Sequence, residues 1–170
     1  MTDPEDRTMV DGVVVVTYSA DETRTLGEAI GGALAPGELI LLQGNFGAGK
    51  TVLVQGIALG LGIDDPVTSP SFVLMVEHIG SGKLVHVDFF RIERADADLI
   101  ASVEDYLDAG WIVAIEWPDW LPGKLAGTAT SVRIEIESDN ERRLVVTSPS
   151  APVRSAISSF VNRIATEQQA

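Results

Sequence analysis

Residues 13–18 form a β-branched apolar run that predicts a strand, and Ser19-Ala20-Asp21-Glu22 behind it supplies a helix cap. Leu26, Ile30 and Leu34 then recur at helical spacing until Pro36-Gly37 stops the helix. Residues 39–42 are continuously apolar, as expected of a central parallel strand covered on both faces. Helical spacing returns over residues 52–61 through Leu53, Ile57 and Leu61, with Gly60 and Gly62 marking the end.

The second half reads as two hairpins separated by a helix and a strand. Residues 72–79 and 84–92 are strand-like, joined by the short Gly80-Ser81-Gly82-Lys83 link. Residues 96–109 form an acidic amphipathic helix with Leu99, Val103 and Leu107 at core spacing, and residues 111–117 form a buried-type strand. A second hairpin, 132–137 with 143–146, turns at Ser138-Asp139-Asn140-Glu141, and a last helix spans 152–164. No repeat or linker interrupts the series. One domain is expected over residues 13–165, between a mobile N-terminal tail, 1–12, and a polar tail, 166–170.

Composition narrows the class. The chain has 170 residues, about one domain's worth, with 45% hydrophobic and 22% charged residues. A net charge of −13 disfavours autonomous nucleic-acid binding, because the surface field repels a polyanion. The absence of cysteine excludes disulfides, zinc ribbons and thiol nucleophiles. No apolar run is long enough to cross a membrane, and the acidic start, Met1-Thr2-Asp3-Pro4-Glu5-Asp6, is unlike a signal peptide. A cytoplasmic protein is expected.

Gly44-Asn45-Phe46-Gly47-Ala48-Gly49-Lys50-Thr51 is a complete G-x-x-x-x-G-K-[ST] motif, set between an apolar strand and an amphipathic helix. Glycines let backbone N–H groups curl around phosphate oxygens, Lys50 adds a point charge, and Thr51 offers a hydroxyl to Mg²⁺. The following helix aims its positive end at the same place. The motif completes the fold class: α/β, a P-loop NTPase-like mixed sheet with a parallel centre, antiparallel additions and flanking helices.

Such proteins hold Mg²⁺ with the loop hydroxyl and an acid at the end of a neighbouring strand. Two residues qualify here. Asp88 closes Leu84-Val85-His86-Val87 and suits the metal; Glu116 closes Trp111-Ile112-Val113-Ala114-Ile115 and suits aligning or deprotonating a water. His86 shares the strand face of Asp88 and reads as a hydrogen-bonded structural residue. Arg91 faces away if the strand continues and reaches an acid or phosphate if it ends. Ser69-Pro70-Ser71-Phe72 lies where several P-loop proteins place a nucleotide-sensing segment. No Asn-Lys-x-Asp motif reads a guanine, and Phe-Phe-Arg follows Asp88, so ATP is preferred to GTP.

The phosphate loop, Thr68-Ser69-Pro70-Ser71-Phe72, His86-Val87-Asp88-Phe89-Phe90-Arg91 and Ile115-Glu116-Trp117-Pro118 occur in the order and spacing of the bacterial TsaE (formerly YjeE) family, which the chain resembles over residues 19–121. The resemblance implies an ATPase subunit for making threonylcarbamoyladenosine in tRNA, partnered by TsaB and TsaD. It further implies that Lys50 and Thr51 bind phosphates and Mg²⁺, that Asp88 serves the metal, and that Glu116 serves hydrolysis or the metal. By the same resemblance Ser71 stands in a switch-like loop with Ser69, and the stretch from Ser19 to Leu26 packs near adenine. The chain departs from the family pattern at Asn45-Phe46, Val52, Ser71 and Phe90, where Asp-Leu, Thr, Thr and Tyr are usual.

Two other readings compete. A small P-loop kinase of a metabolite has similar length, but residues 118–130 lack the arginines of a phosphate lid and no acceptor pocket is evident. A nucleotide-dependent scaffold would bind without turnover.

Overall fold

The computed structural model describes residues 12–70, 73–92 and 97–167. Among these residues, seven strands form one sheet: β1 (Val13–Thr17), β2 (Leu39–Gln43), β3 (Met75–Ile79), β4 (Lys83–Asp88), β5 (Ile112–Glu116), β6 (Thr130–Ile136) and β7 (Arg142–Thr147). Helices α1 (Ala20–Ala33), α2 (Lys50–Gly60), α3 (Ala97–Asp108), α4 (Gly123–Ala126) and α5 (Ala151–Glu167) accompany it. The strand order is β1-β7-β6-β2-β5-β4-β3. β6, β2, β5 and β4 run parallel, while β1 with β7, β7 with β6, and β3 with β4 pair antiparallel. The expected parallel centre with antiparallel additions is the architecture observed.

Strand alternation divides the core. Ile40 and Leu42 of β2 join α1, α2 and α5 in one cluster, whereas Leu39 and Leu41 join the cluster containing Val103 of α3 on the other face. This two-sided cover explains why residues 39–42 carry no polar position.

Helix α1 begins as its sequence directs. Ser19 Oγ accepts the Glu22 N–H at 3.1 Å, and the Glu22 carboxylate accepts the Tyr18 N–H at 2.8 Å, satisfying donors that the helix cannot. α1 then lies unusually close to α2. A Cβ on Gly31 would stand 2.2 Å from the Ile57 carbonyl oxygen, and one on Gly56 would stand 2.0 Å from that of Arg24. Only glycine permits this backbone approach. α1 thereby braces the helix whose first residue is Lys50.

Three stretches depart furthest from the sequence expectations. The strand expected over 72–79 begins at Met75, because Val73 and Leu74 N–H groups both turn back to the Pro70 carbonyl and Leu74 takes φ 67°. The strand expected over 84–92 stops at Asp88: its carboxylate accepts the Phe90 N–H, and Ile92 N–H bonds the Phe89 carbonyl in a turn. A 3₁₀ turn (Pro118–Trp120) and α4 occupy a stretch for which no element was expected. Ser71, Phe72, Asp96, the tail 1–11 and residues 168–170 lie outside the described residues.

Candidate functional site

Loop 44–49 leaves the C-terminal end of β2 and enters α2. Gly47 and Gly49 take φ 74° and 106°, left-handed values that cost a side-chain-bearing residue on the order of 1–2 kcal/mol. Gly44 is crowded instead, since a Cβ there would meet the Ile134 carbonyl at 2.6 Å. Asn45 and Phe46 are exposed at the turn, while Ala48 is buried beneath it.

Lys50 is only 5% exposed. Its Nζ donates to the carbonyls of Gly44 at 2.6 Å and Asn45 at 3.1 Å, and lies 4.1 Å from the centroid of the Trp117 ring. Burial pushes the amine below the ordinary lysine range, and the carboxylates of Glu116 and Asp88 pull it partly back. Trp117 reaches the lysine from a left-handed backbone, φ 59°, just beyond β5. Its ring also meets Phe46 and Phe90, with centroids 5.3 and 5.2 Å away.

Asp88 and Glu116 are register partners at the ends of adjacent parallel strands. Both share the sheet face of Leu84 and Ala114, which α2 covers, and both are almost wholly buried. Thr51 Oγ1 donates to Glu116 Oε1 at 2.9 Å, and His86 Nε2 lies 2.8 Å from the same oxygen. A carboxylate oxygen accepts, so His86 Nε2 is the donor to Glu116, while Nδ1 has no hydrogen-bond partner among the described residues. Asp88 accepts from the Phe90 N–H at 2.9 Å and from Ser69 Oγ at 3.3 Å. Thus Lys50, Thr51, Asp88, Glu116 and Ser69 meet at one end of the sheet. Arg91 sits in the turn beyond the strand, so the alternation that would turn it away does not apply.

Ser19 and Val52 lie farther along the loop, in a cleft of about 170 Å³ shared with Thr23, Gly49, Asn140 and Arg142. Ser19 also spends its hydroxyl on the α1 cap. On the other side of the loop is a larger cleft of about 510 Å³, reaching Gln43, Asn45, Trp117, Asp119, Arg133 and Glu135. This overturns the expectation that no acceptor-sized pocket is evident. Its walls come from β6 and the 3₁₀ turn, elements whose meeting no local pattern signals.

Sequence reasoning also missed two contacts. The Trp117 ring over Lys50 had a visible precursor, an aromatic residue directly after Glu116. Arg142 had none: a charged residue at a hairpin end reads as solvated, yet its Nε and Nη2 donate to the carbonyls of Ala48 at 3.1 Å and Gly47 at 3.3 Å.

Known proteins resemble this chain in sequence and in fold. The family model described as threonylcarbamoyl adenosine biosynthesis protein TsaE matches residues 17–145. A tRNA threonylcarbamoyladenosine biosynthesis protein TsaE from Mycobacterium tuberculosis is 36% identical over 135 residues, covering 73% of this chain and 79% of the relative. The protein of that name from Treponema pallidum is 33% identical, covering 77% and 97%, and the one from Bacillus subtilis 30%, covering 77% and 82%. In fold, the chain resembles the crystal structure of Bacillus subtilis YdiB with a TM-score of 0.72 at 24% identity, over 91% of this chain and 97% of that one. With the matched region running from the end of β1 through the phosphate-loop motif and both acid-ended strands into β7, the chain belongs to the TsaE family.

Proposed function

We propose that the chain is a Mg²⁺-dependent ATPase subunit that serves threonylcarbamoyladenosine formation in cytoplasmic tRNA as a nucleotide-dependent partner of TsaB and TsaD. The observation that carries this reading is the convergence of Lys50, Thr51, Asp88 and Glu116 beside a glycine loop at the start of a helix. Family membership supports the pathway, and the acidic balance suits a subunit that meets proteins and leaves tRNA contact to others.

The donor set fits magnesium. Thr51, Asp88 and Glu116 offer hard oxygen ligands, and two buried carboxylates against one buried ammonium leave a negative site suited to a divalent cation. Mg²⁺ held there would offset phosphate charge and orient the triphosphate. The chain's own groups do the rest. Backbone N–H groups of residues 44–51 bind the phosphates, with Lys50 exchanging its carbonyl contacts for phosphate oxygens. Glu116 uses Oε1 for Thr51 and His86, which leaves Oε2 to orient a water and take its proton. Ser69, bonded to Asp88, links the metal side to the loop that reports the nucleotide state, to which Ser71 belongs.

The test is phosphate release by the purified chain with MgATP, alone and with TsaB and TsaD, beside Lys50→Ala. Slow turnover that rises with the partners and vanishes in a folded Lys50→Ala supports the reading. Undiminished ATP affinity and turnover in that variant would overturn it. The 510 Å³ cleft with Arg133 favours one second reading, a kinase whose acceptor sits there. ADP formation that requires a small acceptor, yields the phosphorylated acceptor in place of free phosphate and does not need the partner proteins would identify that activity.

A further inference from the structure

Arg142 opens β7, opposite Thr17 of β1 at the edge of the sheet. Every hydrogen bond found for its guanidinium goes to a backbone carbonyl. Nη1 donates to Ser138 at 2.8 Å, Asp139 at 3.3 Å and Glu141 at 3.0 Å, all in the turn between β6 and β7. Nε and Nη2 donate to Ala48 and Gly47 in the phosphate loop, 94 and 95 residues away in sequence. One planar fork thus ties two segments that no other hydrogen bond among the described residues connects. Five donors in a rigid plane suit this task, which a lysine's single ammonium does not reproduce.

The consequence for the loop follows from peptide geometry. In a trans peptide the C=O and the next N–H point to opposite sides. With the Ala48 carbonyl held toward Arg142, the Gly49 N–H of the same peptide points away from that side. Gly49 takes φ 106° and so has freedom that this anchor removes. The consequence for the hairpin is equally direct. Its turn supplies Asp139 and Asn140 to the 170 Å³ cleft that Ser19, Thr23 and Val52 border from the α1 and α2 side. Release of Arg142 would free that wall.

Resting on the nucleotide-binding reading above, we infer that Arg142 is a positioning residue that latches the β6–β7 hairpin onto the phosphate loop, presetting the Gly49 amide for phosphate and holding one wall of the 170 Å³ cleft beside it. Arg142 acts through these carbonyls and needs no contact with the nucleotide.

Calorimetric titration of the full chain with MgATP and with magnesium tripolyphosphate tests it, using Arg142→Lys and Arg142→Gln. Both variants should bind ATP at least about tenfold more weakly, equivalent to roughly 1.4 kcal/mol, and both should lose tripolyphosphate affinity as well. Lysine keeps the charge and loses the fork, so full affinity in Arg142→Lys would reduce the residue to a point charge and overturn the latch. Unchanged affinity in both variants would do the same. Should either variant fail to fold, amide exchange on the unaltered chain decides: MgATP should slow exchange in residues 138–142 along with the loop, and protection confined to the loop refutes the coupling. Failure of the unaltered chain to bind either ligand would instead overturn the nucleotide reading, and the latch with it.

Discussion

Thr51 Oγ1 donates to Glu116 Oε1 across 2.9 Å, tying the first turn of α2 to the end of β5. The same carboxylate oxygen meets His86, so its position is set from two elements at once. Glu116→Gln should therefore keep nucleotide affinity and lose turnover by about 10²-fold or more, as expected when a proton acceptor is removed. Asp88→Asn should instead weaken Mg²⁺-dependent ATP binding. Paired binding and turnover assays check both, and equal loss of both functions in each variant would point to a shared metal role.

The histidine gives a sharper variant pair. His86→Leu removes the donor that fixes Glu116 and should lower kcat about tenfold with little change in ATP Kd. His86→Gln puts an amide donor near the Nε2 position and should recover much of the rate. Single-turnover kinetics beside calorimetric Kd values separate this from a general loss of folding.

The α1–α2 contact predicts a stability effect away from the chemistry. Gly56→Ala would place a methyl 2.0 Å from the Arg24 carbonyl oxygen, backbone against backbone, so the helices must part. The expected cost is about 1–3 kcal/mol or more, as for overpacked cores. Denaturant unfolding measures it, and because α2 carries Lys50 and Thr51, ATP affinity should fall in parallel.

Acid should weaken the fold through His78. It is buried on β3 with Nε2 unpartnered among the described residues, and burial, then the nearby His86, hold its pKa below the ordinary 6.5, against a smaller opposing pull from Asp65. The unfolded chain takes up this proton first as pH drops. Stability is thus fully present above 6.5 and is lost as pH falls through the lower folded-state value. The thermal midpoint should decline over this range, and His78→Leu should flatten the decline.

Local pattern carried much of this structure. The unbroken apolar stretch 39–42 signalled a strand covered on both faces, and alternation alone put His86 on the face of Asp88. Phe89 and Phe90 misled, because aromatic residues favour strands, whereas the Asp88 carboxylate turns the chain by capturing the Phe90 N–H. The Gly27/Gly31 and Gly56/Gly60 spacings were readable as a close helix contact but read singly as end signals or nothing. Arg142 and the larger cleft depend on elements distant in sequence meeting at the loop, which no periodicity encodes.

The strand order imposes a late step on biosynthesis. Val13 of β1 pairs with Val146 of β7, and β2 has β6 as one of its two neighbours, so a growing polypeptide that has already delivered the glycine loop still lacks the partners that enclose it. Until the last hairpin leaves the ribosome, the apolar flank of β2 stays open on that side and the N-terminal strand has nothing to pair with. Such long-range closure slows folding and exposes sticky edges meanwhile. Truncations that end before residue 147 should consequently accumulate as aggregates.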